Sequence, residues 1–376
     1  MKLSLEQTFC LAFDRWWESF LQDPRMIRMP ERPTLLFAED PKNEKTAELL
    51  LQKPVIQVYQ GFLDDIRETI EKHAQVLSQA CLNDLVPNLK VHEADTRLLA
   101  CVLEITASFV LLHELFHILC GHWDVVRSLA PDDHQALSLD EASLTMGETT
   151  SDAIASRIEI YNAPSPRHRS YFLELEADNT ALQWLMQAAP PNTLSTFLSA
   201  LWPNGFHEPP SAVADLEGSA RILAFRLLFA ASWLVVLLME QKRPEALLKK
   251  TRSHPLPAAR LLADTFTLIE QFAELDSIFV GESGYKTLTL TDQESQDMVR
   301  CLREVVVPVL KAPWPVSDSS AVREGLVAFS PFLITELRNI LLQKPPESRL
   351  GDELEKIELL RREMTDRFQP HRYFTP

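Results

Sequence analysis

The residues of greatest chemical potential in this 376-residue chain are His113-Glu114-Leu115-Phe116-His117. On a helix, i, i+4 spacing puts both imidazoles on one face, where they can grip one metal ion. Glu114, one residue on from His113, projects beside that ion, where a general base for a metal-activated water belongs. The flanking residues, from Phe109 to Leu112 and again Leu115, Ile118 and Leu119, are apolar and would bury and dry the site. A blander reading is a pair of core histidines. Two His and one Glu in a buried helix are costly, however, without a metal or hydrogen-bonding partners.

A catalytic tetrahedral zinc (Zn2+) site needs a third protein ligand. A histidine six residues beyond His117, as in metzincins, is excluded: that position is Trp123, and Cys120 stands where the pattern needs glycine. A carboxylate from a later helix is the other option. In Glu174-Leu175-Glu176-Ala177-Asp178, Glu174 and Asp178 share one helix face. Glu174 can bind the metal, and Asp178 can accept the outer N–H of a ligand histidine and hold its tautomer. Glu148 and Asp152 repeat the same spacing, and periodicity does not choose between the two pairs. His122 follows the expected helix end at Gly121, so it could turn back toward the metal. At i+5 from His117 it leaves the ligand face, and its expected role is to support a ligand or lie at the surface rather than to bind the ion.

His-Glu-x-x-His, then Glu-x-x-Ala-Asp, then a His-Pro element, in that order, resembles the gluzincin metalloproteases: HtpX-like proteases, CAAX prenyl proteases and Oma-type mitochondrial proteases. The third element is Ser253-His254-Pro255-Leu256-Pro257-Ala258-Ala259-Arg260. The resemblance covers about residues 109–262. It implies that Glu174, rather than Glu148, is the third ligand. It also implies that His254 faces the cleft, to stabilise an oxyanion or cap the zinc at rest, and that Arg260 is a structural or substrate-orienting cation. The family usually carries membrane helices or a secretion signal, which this chain lacks in clear form. A second resemblance, to soluble phage-exclusion proteases of the Lit type, rests on the Gly121-His122 that follows the motif.

The elements that must position these residues read as mainly α, or α+β with at most a small sheet, in a gluzincin-like core with added helical regions. Gly numbers only 9 against 25 Pro, which disfavours hairpin-rich folds. Helices are expected over 3–21, 63–82, 94–120, 146–160 and 169–188, and several more follow to 368. Short strands are expected at Thr34–Ala38 and Pro54–Tyr59. The working division is an N-terminal region 1–90, a zinc peptidase core 91–270 and a C-terminal helical region 271–376. The strand near Val55–Tyr59 offers an edge for an extended peptide substrate.

A net charge of −16 opposes binding to nucleic acid and to anionic membranes. No Gly-rich phosphate loop occurs. Five widely spaced cysteines without a CxxC pair suit reduced thiols in the cytoplasm. Ile222–Met239 is apolar apart from Arg226 and Ser232. It reads as a core helix, with a membrane-associated protease as the minor alternative, in which Arg226 would snorkel. The expected function is a zinc metalloendopeptidase. A zinc-stabilised helical interaction protein without turnover is the rival of a different class.

Overall fold

The computed structural model describes residues 4–40, 47–50, 53–82, 95–124, 169–188, 223–224, 226–232, 234–235, 264, 267–268 and 372–374. Among them the protein is mostly helical with one small sheet, the mainly α or α+β architecture expected. The predicted helix over 146–160, Glu148, Asp152, His254 and Arg260 lie outside the described residues.

Helix α1 (Leu5–Gln22) opens with a reciprocal cap: the Ser4 hydroxyl accepts from the Gln7 amide at 3.1 Å, and the Gln7 side chain accepts from the Ser4 amide at 2.8 Å. Its buried residues, Leu5, Phe9, Ala12, Phe13, Trp16, Trp17 and Phe20, recur every three or four positions and form one apolar stripe. Strands β1 (Thr34–Ala38) and β3 (Val55–Tyr59) fall where alternation and β-branching place them. A third strand, β2 (Ala47–Leu50), joins them in the order β1-β3-β2. β1 runs parallel to β3 with Thr34 opposite Val55, and β2 runs antiparallel to it with Ala47 opposite Val58. This overturns one expectation. β3 is the central strand, paired on both sides, so it has no edge to offer a peptide; the edges belong to β1 and β2.

The expected helix over 63–82 is two helices, α2 (Gln60–Lys72) and α3 (Ala74–Leu82), broken at His73. Helix α4 (Thr96–Leu119) is the axis of the molecule. The Asp95 carboxylate caps it, accepting from the amides of Arg97 at 2.9 Å and Leu98 at 3.3 Å. From Thr106 to Trp123 every residue is buried. A helix apolar on all sides must be covered on all sides, and α1, α2, the sheet and α5 (Arg169–Ala188) supply the cover. By length and composition alone, α4 is the one helix among the described residues able to cross a bilayer; two thirds (67%) of its most apolar window is enclosed by protein. The apolar segment after residue 222 is helical and buried at each of its described positions. Arg226 does not reach outward: it is 5% exposed and donates to the Cys81 carbonyl at 3.2 Å.

Residues 372–374 dock across the end of α4. The Tyr373 amide donates to the Leu119 carbonyl at 2.9 Å, satisfying one of the carbonyls a helix end leaves unpaired. The Tyr373 carbonyl accepts from Ile27 at 2.9 Å, and Phe374 bridges to Met26. Phe374 packs on Phe116 and Trp184 with centroids 5.9 and 6.4 Å away, and Phe20 joins the same aromatic group. Burying each such ring contributes roughly 1.5–3 kcal/mol.

Candidate metal centre

Two helices build the centre. α4 supplies His113, Glu114 and His117; α5 packs against it and supplies Glu174 and Asp178. Ala177 and Ala181 are fully buried on α5, and small side chains there allow close approach. The i, i+4 spacing does on each helix what it predicts: both histidines face α5, and Glu174 and Asp178 face α4.

The His113 and His117 Nε2 atoms are 3.2 Å apart. Glu174 Oε2 lies 3.4 Å from His113 Nε2, and Glu174 Oε1 lies 3.6 Å from His117 Nε2. Three atoms held around a tetrahedral ion by bonds of about 2.1 Å would stand about 3.4 Å apart. Glu174 meets each histidine through a different oxygen, and the separations of 3.2, 3.4 and 3.6 Å lie close to that spacing. The side chains are 2–10% exposed. These buried groups can hold a metal ion. Behind His113, Asp178 Oδ1 is 2.8 Å from Nδ1, so the ring donates from Nδ1 and turns the lone pair of Nε2 toward the centre. Glu114, next to His113 in sequence, is 7% exposed.

The electrostatics ask for positive charge. Burial opposes charge on His113, but the Asp178 and Glu174 carboxylates outweigh it and raise its pKa from 6.5 to about 10. Burial, then the charge on His113, hold His117 well below its ordinary value. A proton on His113 or a divalent cation between the ligands answers the same field, so metal binding displaces that proton.

The sequence reading did not find the groups behind His117. Gly121 takes φ 82°, a left-handed conformation that suits glycine, and the chain reverses and re-enters helix at His122. His122 is therefore no ligand of the triangle, and it is no surface residue either. It is fully buried, with Nδ1 3.1 Å from His117 Nδ1 and Nε2 2.6 Å from Glu176 Oε2. Arg372 pairs with Glu176 Oε1. Cys120, His122 and Glu176 thus form a second buried group with metal-ligand atoms. Burial and then Glu176 push the Cys120 thiol well above its ordinary pKa, so it keeps its proton. Nothing local announces these groups: Leu173 to Asn179 reads as a mixed polar run, and only the fold buries it without interruption and so gives Glu176 a need for its own partner.

Tyr171 stands on α5, while His168 lies outside the described residues. The chain beyond the His254–Arg260 element returns to the site's neighbourhood: Thr267 donates to the Asn179 side chain at 2.9 Å. No family model, curated protein or solved structure matches this chain.

Proposed function

We propose that the protein is a cytoplasmic zinc-dependent endopeptidase acting on a protein or peptide substrate. One observation carries the reading: two buried imidazoles and a buried carboxylate that converge within metal-ligand reach, with Glu114 next to His113 in sequence. Two imidazoles and one carboxylate are the donor set of catalytic zinc, which leaves a fourth position open. Bound zinc supplies Lewis acidity, lowering the pKa of a water and polarising a carbonyl.

This chain's residues do the rest. His113 and His117 present Nε2, and Glu174 presents its carboxylate, to hold the ion. Asp178 keeps the His113 proton on Nδ1. The Glu114 carboxylate takes the proton of the attacking water and returns it to the leaving amine nitrogen. The apolar shell of α4 excludes competing water. By resemblance His254 would stabilise the oxyanion and Arg260 would orient substrate.

The enclosure of the ligands supports a second reading, in which zinc only stabilises the fold of an interaction protein. Two measurements separate the readings. Metal per chain by mass spectrometry should give about one zinc in wild type and in Glu148→Ala, and none in Glu174→Ala. Glu114→Gln should retain zinc and lose cleavage of a quenched fluorescent casein by about 10²–10⁴-fold. Normal cleavage by Glu114→Gln would end the mechanism. Zinc-dependent folding with no cleavage by wild type would leave the interaction protein.

A further inference from the structure

The hydrogen bonds behind His117 run in one direction. A His117 that offers Nε2 to a metal must carry its proton on Nδ1. The atom 3.1 Å from that Nδ1 is His122 Nδ1, which must then be the acceptor. A neutral His122 accepting at Nδ1 carries its proton on Nε2, and Glu176 Oε2 waits there at 2.6 Å. The other oxygen of Glu176 is taken by the Arg372 guanidinium. From His117 Nδ1 through His122 to Glu176, each donor meets one acceptor. His122, Glu176 and Arg372 are each 7% exposed or less, so water does not substitute for any of them.

We infer that His122, Glu176 and Arg372 are positioning residues that fix the tautomer and place of His117, making the docked segment 372–374 a working part of the metal centre. On the opposite ligand, Asp178 does for His113 with one carboxylate what this chain does for His117 through an intervening imidazole. The alternative use of the same atoms, a second metal on Cys120, His122 and Glu176, must compete with the guanidinium already seated on Glu176.

The inference rests on the zinc reading, and the test keeps the two apart. Full-length wild type, His122→Ala, His122→Gln, Arg372→Met and Tyr373→Phe would be titrated with zinc against a chromophoric chelator. Each would then be loaded with Co2+ and its visible absorption recorded. His122→Ala and Arg372→Met should bind zinc about 10–100-fold more weakly and show a shifted cobalt band. His122→Gln, which keeps an acceptor and a donor, should recover part of both. Tyr373→Phe removes only the 2.8 Å bond to Asp124 and should match wild type, which separates loose docking of the segment from loss of the chain. Circular dichroism checks folding, and His122→Ala carries the test if Arg372→Met does not fold. Wild-type affinity and spectrum in His122→Ala would overturn the inference while leaving the zinc site standing. A wild type that binds no metal would overturn both. Two metals per wild-type chain, falling to one in His122→Ala, would make the second group a metal site and the positioning chain wrong.

Discussion

The two faces of His117 carry nearly the same chemistry and use it in opposite ways. Toward the centre, the His113 and His117 imidazoles converge on the Glu174 carboxylate. Behind it, the His122 imidazole, the Cys120 thiol and the Glu176 carboxylate converge with Arg372 inserted. Both groups are buried, so both carboxylates need compensation. One gets it from inside the chain, 196 positions away. The other faces two imidazoles, where a proton or a metal ion can supply it. Ligand type and burial are thus shared by the two clusters; the guanidinium seated on Glu176 sets the second apart.

The sharpest break would come from exchanging the carboxylates' fates. Glu174→Gln is expected to abolish metal binding measured by mass spectrometry. Glu176→Gln, only two residues on, should keep one metal per chain at about 10–100-fold weaker affinity. Equal losses in the two variants would erase the distinction. Next in size is removal of the internal cation. Arg372→Met leaves buried Glu176 without its guanidinium, and urea unfolding should show about 3–5 kcal/mol lost. Adding Glu176→Gln should restore a large part of that loss, because the cost lies in the carboxylate's buried charge. A double variant as weak as the single one would place the cost in packing of segment 372–374.

Smaller effects sharpen the same contrast. Cys120 should stay unreactive toward a thiol reagent in the folded protein while exposed Cys10 reacts, since burial and Glu176 keep the Cys120 thiol protonated. Fast native labelling of Cys120 would mean its cluster opens. Cys81 shows what burial does to a thiol outside both clusters. Burial raises its pKa from 9.0 to about 12, against a lowering pull from Arg226. The folded state then holds a proton that the unfolded chain releases. This contribution is complete below pH 9.0 and is lost as pH rises from 9.0 toward 12, with a slope of up to about 1.4 kcal/mol per pH unit. Unfolding midpoints between pH 8 and 10.5 should fall in wild type and fall less in Cys81→Ala. Parallel curves would show that other groups set the alkaline limit.

The parts of the site that sequence revealed are those fixed within one helix. His113 and His117, and Glu174 and Asp178, are i, i+4 pairs, and helical geometry alone puts each on one face. Helical geometry does not say which α4 face meets which α5 face, so spacing left Glu148 as a rival. For His122 the sequence left two roles open, supporting a ligand or lying at the surface, because counting at 100° per residue stops where Gly121 ends the helix; only the fold chooses the first. Arg372 has no local signal: its meaning depends on Glu176, far away in sequence. In the fold, β1 and β3 were legible from their branched and aromatic residues. β2, reading Ala-Glu-Leu-Leu, has helix-forming composition and is a strand only because β3 is there to pair with it. The break between α2 and α3 at His73 carries neither Gly nor Pro, the residues that usually announce one.

The reach from Glu176 to Arg372 also sets a clock. A ribosome adding about 5–20 residues per second needs about 10–40 seconds to pass from one to the other. During that interval α4 and α5 can meet and His122 can find Glu176, but the carboxylate has no guanidinium. A chain stopped short of residue 372 would stay in that condition, with a buried anion and a loosely held His117. Arrival of Arg372 thus closes the cluster behind His117 only after that interval.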